Sequence, residues 1–393
     1  LHQISAQHNG IGEILFNNAW SKTFQEEYRL MKRTLLMMAA LTFSLALFVP
    51  LASAETNVPG PAAQDPTPEE AAAYKAWFDA NAAKDFPKAM ELAKAYLEKF
   101  PSGKYLGYLK DKWIPSLYPF FFNKAVADKN VPEIIRIGKE VLARDADNLD
   151  YLSALVVQIR TFELFATPPN YAHAAEAAEF AERAIRLIEA GKTPTGADPK
   201  VFNKNVTLAY MHQTLAVIYD HDKNVDKALA EYDKAAALEP SNTAFFFHCG
   251  RIHNDKYAAA AQRYDASQKK VDAIPEADRN AAEPKPEVKA ALDESKAAFT
   301  EVKNQAEAVV NCWVRYVALT ADKPSETRTT VLGVVTGLYK FRNNNLEVGL
   351  QKLIEDNRTS ATPVKMTPPP ETPAQPKPAA EPNASAKPNG KKP

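Results

Sequence analysis

Residues 226–242 read DKALAEYDKAAALEPSN, and this stretch decides the fold. Ala228, Tyr232 and Ala235 recur at spacings of four and three, so they share one face of a helix. Pro240 ends that helix, because it has no N–H to donate and disfavours helix in the residue before it. Immediately upstream, residues 210–224 (YMHQTLAVIYDHDKN) carry a second helical pattern that closes on a polar, turn-forming cluster. The unit is therefore a pair of helices joined by a tight turn.

Working outward, the same unit recurs. EEAAAYKAWFDANAA and FPKAMELAKAYLEKFP form one pair, and KWIPSLYPFFFNKAVA and VPEIIRIGKEVLARDADN a second. LDYLSALVVQIRTFELFA is followed by YAHAAEAAEFAERAIRLIEAG, where Gly191 supplies a helix C-cap. After the loop KTPTGADPK comes the pair that ends in the opening stretch. No segment sustains the period of two that a strand requires, so the chain is expected to be all-α.

Beyond residue 265 the rhythm changes. A polar, proline-punctuated segment over 266–287 reads as a linker, and one long helix is expected from Val288 to Leu319. Val288, Leu292, Ser295, Phe299, Val302, Ala306, Val309, Trp313 and Tyr316 alternate by four and three along it. This seam reads as a face packed on its own chain, with an intermolecular coiled coil as the alternative. TRTTVLGVVTGLYKF and LEVGLQKLIEDN then close the folded part, which spans 288–357.

Residues 209–242 resemble a tetratricopeptide repeat, whose period is about 34 residues. Leu215, Ala216 and Tyr219 match the large, small and aromatic positions of its first helix. Ala228, Tyr232, Ala235 and Pro240 match the small, aromatic, small and proline positions of the second. His212 departs from the pattern, standing where the family has Trp or another bulky residue. The alanines let helix backbones approach closely, and the aromatic rings fill the gaps between them. Elsewhere the match is looser: Ala89, Ala93 and Pro101 fit a second helix, Ile134 and Val141 suggest another, and Gly250 stands at a small position.

The hairpins recur at about 45–50 residues, longer than the family's repeat. The resemblance implies a right-handed α-solenoid of stacked antiparallel hairpins over residues 69–265. Such arrays hold a peptide or partner helix in a concave groove lined by the first helix of each pair. By that implication the groove candidates are Tyr210, Gln213, Val217, Asp220, Phe247, Arg251 and Asn254. A basic clamp for a terminal carboxylate is not implied, since only Arg251 and Asn254 stand near the required places.

The two ends of the chain read differently. Met31 opens a stretch with a positive start (Lys32, Arg33), an apolar run from Leu35 to Val49 and small residues at Ala52-Ser53-Ala54. This is the pattern of a secretory signal peptide over 31–54, cleaved after Ala54, with 1–30 as an upstream extension and a periplasmic or secreted product. An uncleaved membrane anchor is the alternative. Residues 55–68 form a Pro-rich lead-in. From 358 to 393 the chain is rich in Pro, Lys and Ala, and a segment of that composition is expected to be extended and disordered.

Composition limits the function. Lys+Arg and Asp+Glu are equal at 48 each in 393 residues, so there is no basic footprint for nucleic acid. Two cysteines are too few for a disulfide framework. Cys249 and Cys312 remain a candidate pair in an oxidising envelope, and spacing alone does not decide whether they meet.

His248, Cys249 and His253 form the one cluster with metal-like chemistry, Cys249 and His253 standing one helical turn apart. A buried cysteine beside partly exposed histidines is the plainer reading, so no metal and no cofactor are assigned. The aromatic run through Tyr105, Tyr108, Trp113, Tyr118 and Phe120–Phe122 reads as inter-helix core, and Glu176 and Glu179 as solvated face. No nucleophile elbow, phosphate loop, zinc-helix or haem-attachment motif is present. The expectation is a non-catalytic scaffold that binds a protein or peptide in a bacterial cell envelope. An envelope enzyme or metal protein using the His248/Cys249/His253 region is the alternative.

Overall fold

The computed structural model describes residues 65–195 and 202–367. The signal-like segment 31–54, the extension 1–30, most of the lead-in 55–68 and the tail beyond residue 367 lie outside the described residues. Among the described residues the chain is all helix and coil, with no strand, and no helix is long and apolar enough to cross a membrane.

Helices α1 (Pro68–Ala82) and α2 (Phe86–Lys99) pack on each other. A π turn at Leu109–Trp113 and a short turn at Ile114–Ser116 lead into α3 (Tyr118–Ala127), which packs on α4 (Val131–Arg144). Next come α5 (Leu149–Ile159), continued by a π turn at Arg160–Leu164, and α6 (Ala174–Glu189). The next pair is α7 (Lys204–His221) and α8 (Val225–Leu238). From α3 to α8 successive helices pack on each other.

Six of the helix starts are fixed locally. Asp85, Asn130, Asn148, Asn203, Asn224 and Asn242 each accept a hydrogen bond from a backbone N–H in the first turn that follows.

Three of the turns are alike. Lys84, Lys129 and Lys223 take left-handed φ values of 58, 53 and 62°, and each is followed by the capping Asp or Asn. In each, the N–H of that Asp or Asn returns to a carbonyl of the preceding helix: Ala80, Ala125 and Tyr219. The helices that follow, α2, α4 and α8, are all 14 residues long. The opening stretch is thus one of three similar second helices.

Past residue 242 the structure differs from the expected linker. Residues 243–272 form a single 30-residue helix, α9 (Thr243–Asp272), so the first part of the linker expected from 266 is helical. A short turn at Glu276–Arg279 precedes α10 (Pro286–Leu319), 34 residues long, which runs back along α9. Ser295 donates to Gln268 at one end of this pair, and Trp313 Nε1 donates to the Phe247 carbonyl at the other. The alternating seam of α10 lies against α9, with Val302, Ala306, Val309 and Trp313 buried. The interface is tight at one point: a Cβ on Gly250 would stand 2.1 Å from Trp313 Cδ1.

Helices α11 (Glu326–Arg342) and α12 (Leu350–Thr359) cover the other side of α10. The folded body then continues past Arg358. Arg315, buried on α10, donates to the carbonyls of Pro240, Asn357 and Ser360. Asn357 holds Val364 from both sides, and Met366 is buried while its N–H donates to Asn311. Composition placed the start of the tail too early, because these contacts depend on side chains far away in sequence.

Candidate functional site

The ends of α5, α7 and the first half of α9 meet in a polar cluster. Arg160, in the π turn after α5, is almost wholly buried and donates to Gln213 Oε1 of α7 at 2.6 Å. Its guanidinium lies over the rings of Phe165 and Tyr210, 4.1 and 5.0 Å from their centroids. Glu163, one turn on and also buried, accepts from His173 Nδ1 at 2.9 Å. Between α7 and α9, Arg251 pairs with Asp220 and also donates to Asp255 at 3.0 Å. Two stacks flank this array: Tyr171 on His221, and Tyr232 on His248.

The electrostatics follow from burial and from the two arginines. Desolvation, with Arg251 and Arg160 adding to it, pushes the His248 imidazole down to about 3, so the ring is neutral. Desolvation raises the Tyr232 phenol, which remains a donor. The buried donors of this region include Gln213 Nε2 and the Tyr232 hydroxyl, for which no acceptor lies within the protein. A buried donor without an acceptor costs about 1–3 kcal/mol.

Of the expected groove residues, the structure brings together Tyr210 and Gln213 through Arg160, and Asp220 with Arg251. Val217 is half-buried against the apolar core, and Asn254 is half-buried on α9. Phe247 turns the other way, its ring 5.2 Å from that of Tyr316 on α10, since the α9–α10 pairing claims that face.

The packing residues lie inside: Leu215, Ala216, Ala228, Tyr232 and Ala235 are buried. Tyr219 is half-buried with its hydroxyl on Glu182, and the Pro240 carbonyl is held by Arg315. His212 fills its bulky position with a charge partner, its Nδ1 standing 2.6 Å from Glu231.

Sequence reasoning misses Arg160 and Glu163. The signal is there: two charges set in the apolar run LVVQIRTFELF, where isolated charges are rarely buried without a structural or binding role. What spacing does not reveal is the partner, because Gln213 lies 53 residues away.

A second cluster sits on the opposite side of α9. Cys249 and Cys312 are joined in a disulfide that ties α9 to α10, with Cα atoms 5.9 Å apart. His253 stands beside it, and one potential ligand atom from each of the three residues lies within 4.8 Å of the others. His253 Nδ1 is 2.9 Å from Gln305 Oε1, and Gln305 Nε2 donates to Glu301 at 2.8 Å.

No protein-family model matches the chain, and no curated protein is detectably similar to it in sequence.

Proposed function

We propose that this protein is a tetratricopeptide-like, right-handed α-solenoid, exported to the bacterial cell envelope, where it acts as a non-catalytic interaction scaffold. Consecutive helices that pack on their neighbours, and three second helices of equal length entered through the same lysine turn, support a stacked repeat. The signal-peptide pattern over 31–54 supports export. In this reading the ends of α5 and α7 and the first half of α9 present the binding face, and the ligand is a peptide segment or helix of a protein partner.

One observation carries the binding role. Four of the groove candidates pair across helices at these ends: Tyr210 and Gln213 with Arg160, and Asp220 with Arg251. A peptide would meet the partly exposed side chains of Val217, Asp220, Arg251 and Asn254 at these ends.

Site-specific photo-crosslinking tests this. A crosslinker at Asn254 or Val217 should form adducts with one reproducible peptide segment from envelope extract, and one at Lys234 on the outer side of α8 should not. Adducts of equal yield and identity from all three positions, or none from Asn254 and Val217, would overturn the assigned face.

A further inference from the structure

We propose that Cys249, Cys312 and His253 form a redox-gated site for a soft or borderline metal cation such as Zn²⁺, closed by the disulfide and opened by its reduction. The three side chains already converge, and they come from two helices held in register by the buried Trp313 against Gly250. Two thiolates and one imidazole are a zinc ligand set that leaves a fourth position for water or an external ligand.

The imidazole is oriented for this task by a relay along α10. Glu301 is a carboxylate and only accepts, so Gln305 must turn its amide NH₂ towards it. That places Gln305 Oε1 towards His253, and an amide oxygen only accepts, so His253 Nδ1 carries the proton. Nε2 is therefore the nitrogen with the free lone pair. Metal-binding histidines commonly have their other nitrogen donating to an oxygen in this way, which sets tautomer and ring orientation together. The relay uses two side chains to fix the tautomer of an imidazole that lies beside the two sulfurs.

The gating chemistry balances in two steps. An external dithiol reductant gives two electrons and two protons to the Cys249–Cys312 bond; the S–S bond breaks, two thiols form, and the reductant leaves as its own disulfide. A divalent cation then displaces both thiol protons to solvent and binds the two sulfurs and His253 Nε2. Oxidised protein offers no thiolate and so no site.

Cobalt(II) and zinc titrations of the full-length chain, before and after reduction and removal of the reductant, test the proposal. Reduced protein should bind one equivalent with thiolate-to-cobalt charge-transfer absorption, and oxidised protein none. Cys312→Ser should abolish that absorption. His253→Ala and Gln305→Ala should weaken binding by roughly 10–100-fold, circular dichroism confirming that each variant is folded. Two thiols titratable after reduction without metal binding would overturn the site. Binding that is indifferent to His253→Ala would remove the imidazole from it and equally refute the proposal.

Discussion

Glycine-to-alanine substitutions in two helices should have opposite signs, and the α9–α10 interface sets the difference. Gly250 lies under Trp313: an added Cβ would stand 2.1, 2.3 and 2.5 Å from Cδ1, Nε1 and Cγ of that ring. Trp313 has no exposed surface and donates Nε1–H to the Phe247 carbonyl at 3.0 Å, so it has no free direction in which to retreat. Overpacking costs about 1–3 kcal/mol, and displacing the indole sacrifices a hydrogen bond of about 1 kcal/mol. Alanine regains about 1 kcal/mol of helix propensity. The net expectation for Gly250→Ala is a loss of about 1–3 kcal/mol.

Gly337 sits in α11, where an added Cβ would meet no atom within 4 Å, so Gly337→Ala should gain up to about 1 kcal/mol. Urea unfolding followed by tryptophan fluorescence and circular dichroism measures both. Trp313→Phe in the Gly250→Ala background should recover part of the loss, a coupling that a double-mutant cycle isolates. Gly250→Ala at or above wild-type stability would refute the close approach of Trp313 to α9.

Three further outcomes follow from named contacts. Burial by itself would raise the Glu231 carboxyl, but hydrogen bonds from His212 and Lys234 outweigh it and hold the group below its ordinary value. Its stabilising contribution is thus present above the unfolded-state value and lost as pH falls through the folded one, and Glu231→Gln should flatten the acid limb of stability against pH. His248, pushed down to about 3, should show no imidazole titration by NMR between about pH 5 and 8. Arg315→Lys should cost about 1.5–3 kcal/mol, since one ammonium cannot serve the Pro240, Asn357 and Ser360 carbonyls together. Amide exchange at Val364 and Met366 should quicken in that variant.

Helix identity was legible because its causes are short-ranged. Asn224, Lys223 and the Ala228/Tyr232/Ala235 face lie within a few turns of each other, and their spacing carries the information. The recurring lysine turn was legible too, as DKN at both 128–130 and 222–224, although its meaning emerges only once the φ values are known. The neighbours of the groove candidates were not legible. Helical periodicity puts Gln213 and Asp220 on α7, but their neighbours Arg160 and Arg251 come from other helices.

The sequence by itself determined that the chain is helical and where most helices begin and end, because caps, prolines and periodicity act within a turn or two. Only the tertiary structure decided that α9 continues into the expected linker and lies along α10, that Phe247 faces α10, and that the chain stays folded as far as Met366. It alone joined Cys249 to Cys312 across 63 residues. Those outcomes depend on which helix faces meet, and that is set by the packing of rings such as Trp313 against gaps such as Gly250, a fit between distant residues that local spacing does not encode.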